Sequence, residues 1–383
     1  MAGRQMRMQQ LVSFANEIKT RFESSNYWEY EKFLGNGAFG VTILLREMGR
    51  LVVRRKRIAI KLARRNTTGT QQLINEIKFL KRLRGAKHII KMVASCDDLR
   101  SFSTVEARRR EEESPGALRR VVDVFGKLVR LPPSAAFSPL EGVLEGPAVA
   151  LEYLDKGDLV TLKIDIDNDQ VHVPNRVLWS LFLCLIRACI GMAYPLERPE
   201  NTRSVLETVP TDGTKPCGIL HQDVAPRNIM IGSGDGLDEH HVGNLFKLID
   251  FGCAREYDPP RGPPENLFDC ARIMFQMLDY EPIASLAVVW KNGSTRAGNI
   301  LPPEDDLDDD PFPMVDLDLR DLIARCLYAD ARKRPTLQEA LDEAQKAVAR
   351  DPDTFPEPDE ETDDSILEFF QVYIHDAPDC FRV

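Results

Sequence analysis

A chain of 383 residues, 43% of them hydrophobic, is long enough for one two-lobed domain or two ordinary ones around a real core. Its formal net charge of −10 argues against general affinity for nucleic acid or for an anionic membrane surface. The eight cysteines include no C-x-x-C pair, which argues against a zinc site or a disulfide framework and fits a reducing cytosol or nucleus.

Residues 1–26 carry basic side chains but no continuous apolar run, so they do not read as a secretory signal. Leu11, Phe14, Ala15, Ile18 and Phe22 recur at helical spacing and predict an amphipathic helix that caps the main domain or meets a partner. Tyr27 to Leu34 alternates like a strand and enters Gly35-Asn36-Gly37-Ala38-Phe39-Gly40. Glycines at these spacings let backbone N–H groups approach phosphate oxygens, although a tight hairpin carries the same spacing. A dinucleotide site needs a helix directly after the glycines. Val41 to Leu45 continues as a strand instead, which favours a flap between two strands. The next hairpin holds Arg54-Arg55-Lys56-Arg57, a solvated turn or a nuclear-localisation patch, and ends in the apolar strand Ile58-Ala59-Ile60-Lys61.

Leu73, Leu80 and Leu83 mark the apolar stripe of a helix that begins near Thr70, and Glu76 lies on the same stripe. A carboxylate on a buried face is costly unless paired, and Lys61 is its natural partner; a partly exposed Glu76 facing solvent is the alternative. Residues 97–145 form a long excursion with a charged run at 108–113 and prolines at 132–133, read as an insertion that is simply tolerated or that docks a partner. Regularity resumes with the apolar strand Ala148 to Glu152, a Gly turn at Gly157 and an acid at Asp158. The apolar window Val177 to Ile190 is broken by Arg187, is too short to span a bilayer, and predicts a buried helix. Residues 195–217 read as a surface loop, and a smaller excursion covers 232–244.

The stretch from Gly218 to Arg255 organises the rest. It places Asp223 in His221-Gln222-Asp223, Asn228 five residues later, and Asp250 at the head of Asp250-Phe251-Gly252. Two acids and an amide brought together by short strands can hold Mg²⁺ and orient a hydroxyl, because Mg²⁺ takes hard oxygen ligands shared with nucleotide phosphates.

These motifs, in this order, resemble those of a protein kinase, closest to divergent eukaryotic kinases of the fungal type with large inserts. The resemblance covers Tyr27 to about Arg350 and implies an α+β, bilobal fold with a small β-rich N-lobe (27–154) and a larger, mainly helical C-lobe (155–350). It implies ATP and Mg²⁺ as cofactors and a protein hydroxyl as acceptor, Ser/Thr ahead of Tyr. By resemblance Leu34, Gly35, Gly37, Phe39, Gly40, Thr42 and Ala59 cover the nucleotide, Lys61 contacts its phosphates and Glu76 orients Lys61. Leu151 backs the adenine pocket, Glu152 and Leu154 offer backbone groups to the adenine edge, Asp158 meets the ribose and Met230 is the floor. Asp223 orients the attacking hydroxyl with help from Arg227, and Asn228 and Asp250 hold Mg²⁺.

The pattern also departs from the family. Gln222 stands where many members carry an Arg that binds a phosphorylated segment, so no phosphorylation switch of the usual kind is expected. Ala225 replaces a Lys, Pro226 follows the Ser/Thr pattern and Arg227 the Tyr pattern. The segment from Gly252 to Pro263-Pro264-Glu265 is short, and Asn266 takes the place of an anchoring Asp. By resemblance Arg334 pairs with Glu265. A small-molecule phosphotransferase resembling aminoglycoside or choline kinases, and a pseudokinase scaffold, remain as alternatives. Thr336 and Glu339 predict a capping box. The tail 351–383 is acidic, disordered in composition over 351–364, and ends in an apolar helix from Ser365 that docks back on the domain or captures a partner.

Overall fold

Alternating apolar residues lay down the first layer. The computed structural model describes residues 16, 19–20, 28–36, 40–48, 56–63, 67–96, 147–200, 202–233, 239, 242–258, 260–278, 287–303 and 310–375. Strands β1 (Trp28–Asn36), β2 (Gly40–Glu47) and β3 (Arg57–Ala63) are followed by helix α1 (Thr67–Arg82), then β4 (Met92–Cys96) and β5 (Ala148–Glu152). The five strands pair antiparallel in the order β1-β2-β3-β5-β4. Val41, Ile43 and Leu45 oppose Leu62, Ile60 and Ile58, and their side chains form one buried cluster with Trp28. Ala59, Val149 and Leu151 join the main core instead, where α1 adds Leu73, Ile77 and Leu80.

The remainder is mainly helical: α2 (Leu159–Asp169), α3 (Asn175–Ala193), β6 (Ile219–Leu220), β7 (Ile229–Gly232), β8 (Leu245–Leu248), β9 (Arg255–Glu256), α4 (Gly262–Leu278), β10 (Val288–Trp290), β11 (Gly293–Thr295), α5 (Leu317–Cys326), α6 (Leu337–Val348) and α7 (Asp363–Phe370). The small sheet-rich part and the larger helical part make the expected α+β bilobal, kinase-like fold. Helix α3 is its strut. At 19 residues it exceeds the 177–190 window and, by length and composition, could cross a membrane. Its apolar surface is instead covered by α4, α6 and β8, and the Trp179 indole N–H donates to Asp316 Oδ2 at 2.7 Å. The two lobes meet where Ile90 N–H donates to Leu248 O at 3.0 Å and Leu248 N–H to His88 O at 2.9 Å.

Two segments differ from their sequence-based expectation. The loop 195–217 is not all surface: Glu207 is 2% exposed, because His88 and Arg187 satisfy its polar atoms inside the molecule. The acidic stretch 351–364 is ordered against the C-lobe rather than disordered. Phe355 is buried beneath the Arg350 guanidinium, 4.2 Å from its ring centroid. Glu361, 1% exposed, accepts the Asn175 N–H at 2.6 Å and the Arg176 N–H at 2.9 Å, so a single carboxylate satisfies the open N-terminus of α3. Helix α7 then docks Ile366, Phe369 and Phe370 into the core, as its apolar pattern predicts.

Of the N-terminal helix expected over 1–26, only residues 16, 19 and 20 are described, and all three are helical. Tyr27, Gly37, Phe39, Arg54, Arg55, the insertion 97–145, much of 232–244 and residues 376–383 lie outside the described residues.

Candidate active site

Two short ribbons, β6 with β9 and β7 with β8, bring the polar residues to one edge of the C-lobe. His221, completely buried, organises the loop between them. Its backbone N–H donates to Asn266 Oδ1 at 3.1 Å, its Nδ1 accepts the Asp223 N–H at 3.2 Å, and its Nε2 lies 3.0 Å from Ile249 O. Accepting at Nδ1 leaves the ring proton on Nε2, where it donates to Ile249 O. Burial pushes the His221 pKa down to about 4, against the weaker opposing pull of the Ile249 carbonyl and the Asp250 and Asp223 carboxylates. Asn266 also donates from Nδ2 to Ile219 O at 2.8 Å, so the amide ties the loop twice.

Asn228 Nδ2 donates to Asp223 O at 2.8 Å and to Asp223 Oδ2 at 3.0 Å. Arg227 pairs with Asp223 Oδ1, but at 61% exposure water screens most of that attraction. Gln222 and Asp250 sit at φ of 65° and 64°, left-handed conformations that cost a non-glycine residue roughly 1–3 kcal/mol. Gln222 is steadied by Nε2 donating to Tyr257 Oη at 2.9 Å, and Asp250 by accepting the Gly252 N–H at 3.4 Å.

Lys61 joins the lobes. Its Nζ lies 2.7 Å from Glu76 Oε2 and 2.9 Å from Asp250 Oδ1. Burial works against the ammonium charge, yet the two carboxylates outweigh it and hold the Lys61 pKa well above its usual value. Burial raises the Glu76 carboxyl, and Lys61 pulls it back. For Asp250 the burial penalty is overcome by Lys61 and the Gly252 N–H, so its pKa falls below the usual carboxylate range. Gly40, Lys61, Leu62, Gln72, Leu73, Glu76, Asp250 and Gly252 line one small cleft.

The apolar residues expected around adenine share the main core: Ala59, Leu151 and Leu154 are buried, with Leu34 and Met230 partly buried against it. Thr42 stands between Gly35 and Lys61 in strand register. At Gly40 a Cβ would meet Leu62 O at 2.3 Å, which leaves room only for glycine. Glu152 has its own N–H on Lys91 O at 2.9 Å, and its carboxylate receives the Lys91 N–H at 2.8 Å and Lys247 Nζ at 2.6 Å. Its N–H is therefore unavailable to a ligand. Asp158 spends Oδ1 on the Thr161 N–H at 2.8 Å as the cap of α2.

Sequence reasoning missed Asn75, whose Nδ2 donates to Gly252 O at 3.0 Å and Ala254 O at 2.9 Å, tying α1 to the residues after Asp250. It also missed the pairing of Lys247 with Glu152. Arg334 meets Glu265 at 3.4 Å, and its Nη1 donates to Pro264 O at 3.0 Å.

A hard cation needs oxygen donors. Asp250 bonds Lys61 and Gly252 through Oδ1, and Asn228 bonds Asp223 through Nδ2, so among the described residues Asp250 Oδ2 and Asn228 Oδ1 take no hydrogen bond. Both are hard oxygens of the kind that Mg²⁺ takes as ligands.

No family model matches the chain. Among curated proteins it is 28% identical over 109 residues to the G2-specific protein kinase nim-1 of Neurospora crassa, a match covering 27% of this chain and 12% of that protein. It is 29% identical over 143 residues to death-associated protein kinase 2 of Homo sapiens, covering 32% of this chain and 37% of that one. With smooth-muscle myosin light chain kinase of Gallus gallus it shares 27% identity over 143 residues, 32% of this chain and 7% of that one. These matches point to the protein kinase-like superfamily. They come from a fungus and from animals, and they single out no fungal type. The chain spans between 7 and 37% of the length of these relatives.

Proposed function

We propose that this chain is an ATP- and Mg²⁺-dependent protein kinase that transfers the γ-phosphate of ATP to a protein hydroxyl, Ser or Thr in preference to Tyr. The observation that carries the proposal is Lys61, held as a cation between Glu76 of the N-lobe helix and Asp250 of the C-lobe. A charge fixed in a partly dry cleft stabilises phosphate oxygens without reorganising as the reaction proceeds. The Ser/Thr preference rests on the resemblance of Pro226 to the Ser/Thr pattern, against which Arg227 follows the Tyr pattern.

In this reading Asp223 accepts or orients the hydroxyl proton as the substrate oxygen bonds to phosphorus and the bond to the ADP oxygen breaks. The Asn228 amide and the His221 ring fix where Asp223 stands. Asn228 and Asp250 would hold Mg²⁺, which neutralises phosphate charge when bound. Leu34, Ala59, Leu151, Leu154 and Met230 would enclose adenine.

The test uses labelled ATP, Mg²⁺ and a peptide library, with mass-spectrometric mapping of sites and separation of protein-bound from small-molecule phosphate. Wild type should label Ser or Thr, and Lys61→Met and Asp250→Asn should each lower the rate at least about a hundredfold. Variants as fast as wild type, or label confined to small molecules, would overturn the proposal.

A further inference from the structure

An α-helix leaves its last carbonyls without intrahelical partners. The segment between α3 and β6 meets one of these at the end of α1, the helix that carries Glu76, and two more carbonyls in the turn that follows it. Glu197 N–H donates to Arg82 O at 3.0 Å, Arg198 N–H to Arg84 O at 3.2 Å, and Val205 N–H to Gly85 O at 2.9 Å. Gly85 has φ +100°, and a Cβ there would come within 2.8 Å of Arg198 Cδ, so the strand of chain lies directly on the helix end.

Glu207 anchors this segment. It is 2% exposed; its Oε1 accepts the His88 N–H at 2.8 Å, and its Oε2 lies 2.7 Å from His88 Nδ1. On the other side Arg187 of α3, itself buried, donates to Glu207 O. Gly191 makes the room, since a Cβ there would sit 3.2 Å from Glu207 Cγ. A buried carboxylate is tolerated only where its hydrogen bonds are complete, so its position is tightly determined. The central helix of the C-lobe is thus linked through Glu207 and His88 to the end of α1.

We propose that residues 197–200 and 202–207 act as a built-in strap that positions α1, with Glu207 as its anchor, and so holds Glu76 against Lys61. Its effect on rate rests on the kinase reading above; its effect on α1 does not. Glu207 is a positioning residue, acting through His88 and α1. The strap adds to the hold on α1 already given by the segment after Gly252, where Asn75 donates to Gly252 O and Ala254 O and Arg82 pairs with Glu256.

The full chain is compared as wild type, Glu207→Gln, Glu207→Ala, and Glu207→Ala carrying Ala86→Cys and Val205→Cys. Ala86 and Val205 are bridge partners, within reach of a disulfide. Hydrogen exchange is followed in peptides covering 70–88, with α4 as internal reference, alongside steady-state phosphotransfer. Glu207→Ala should speed exchange over 70–88 about tenfold or more without changing α4. It should lower kcat about tenfold at unchanged KM for the peptide, the mark of a misplaced catalytic group rather than lost binding. Glu207→Gln, which keeps one acceptor oxygen and the shape, should lie nearer wild type. The oxidised cross-link should restore slow exchange in the Ala variant, and reduction should remove it. Wild-type exchange over 70–88 in the Ala variant, loosening of α4 to the same degree, or failure of the cross-link to restore slow exchange would each overturn the strap. If wild type transfers no phosphate, the kinase reading fails, and the exchange data still decide the strap.

Discussion

Replacing Glu76 by Gln removes a charge while keeping shape, and isolates what the Lys61 pair contributes to the fold. Glu76 is 1% and Lys61 13% exposed, and the 2.7 Å contact to Oε2 is a charge–charge pair rather than a directed hydrogen bond. At 2.7 Å two unit charges attract by about 6 kcal/mol in an effective dielectric of roughly 20. Much of that offsets the cost of drying both groups, yet removing one partner of a buried pair typically costs about 3–5 kcal/mol because the other is stranded. Lys61 would not be fully stranded, since Asp250 remains 2.9 Å away. The expected loss is therefore about 2 kcal/mol, read as a lower urea midpoint at unchanged slope. The freed ammonium would also shift towards Asp250, so phosphotransfer should fall more steeply than stability. Unfolding within about 0.5 kcal/mol of wild type would refute the reasoning, because it would mean desolvation had cancelled the attraction entirely.

The His221 pKa, lowered to about 4 from an ordinary 6.5, sets a second expectation. The unfolded chain takes up this proton below pH 6.5 and the folded chain only near 4, so stability is full above 6.5 and is lost as pH falls towards 4. By pH 5 the loss is about 2 kcal/mol, in the same direction as the lowered carboxyl of Asp250, and His221→Asn should flatten the dependence in urea titrations. Gly262→Ala would place a Cβ 2.0 Å from Ile219 O, and overpacking of this kind should cost at least about 2 kcal/mol in melting experiments and disturb the adjoining loop at His221. Thr336→Ala removes the cap that receives the Glu339 N–H and should cost about 1 kcal/mol, with phosphotransfer unchanged at low temperature.

The N-lobe half of the site was legible because its chemistry violates a pattern. Glu76 interrupts an apolar stripe with Leu73 and Leu80, and a buried acid needs a cation, which the end of an apolar strand supplies as Lys61. Asp223, Asn228 and Asp250 were legible through motif spacing. Glu207 and Glu361 were not, because each lies in a polar, proline-containing stretch that reads as solvent-exposed. Their partners are distant, 119 residues away for His88 and 186 for Asn175, and no local period announces such a contact. The tail was misread for a similar reason: acidic composition describes the average side chain, whereas buried residues such as Phe355 and Glu361 hold it down.

The first turn of α4 does three things at once. Gly262 lies against Ile219, Glu265 reaches Arg334, and Asn266 hangs the loop at His221. One residue inserted between 262 and 266 would rotate whatever follows by about 100° and withdraw Asn266 from the loop. Chain length is thus strictly metered at this turn. A deletion or insertion scan across residues 262–278 should find the lowest tolerance in the first turn of α4.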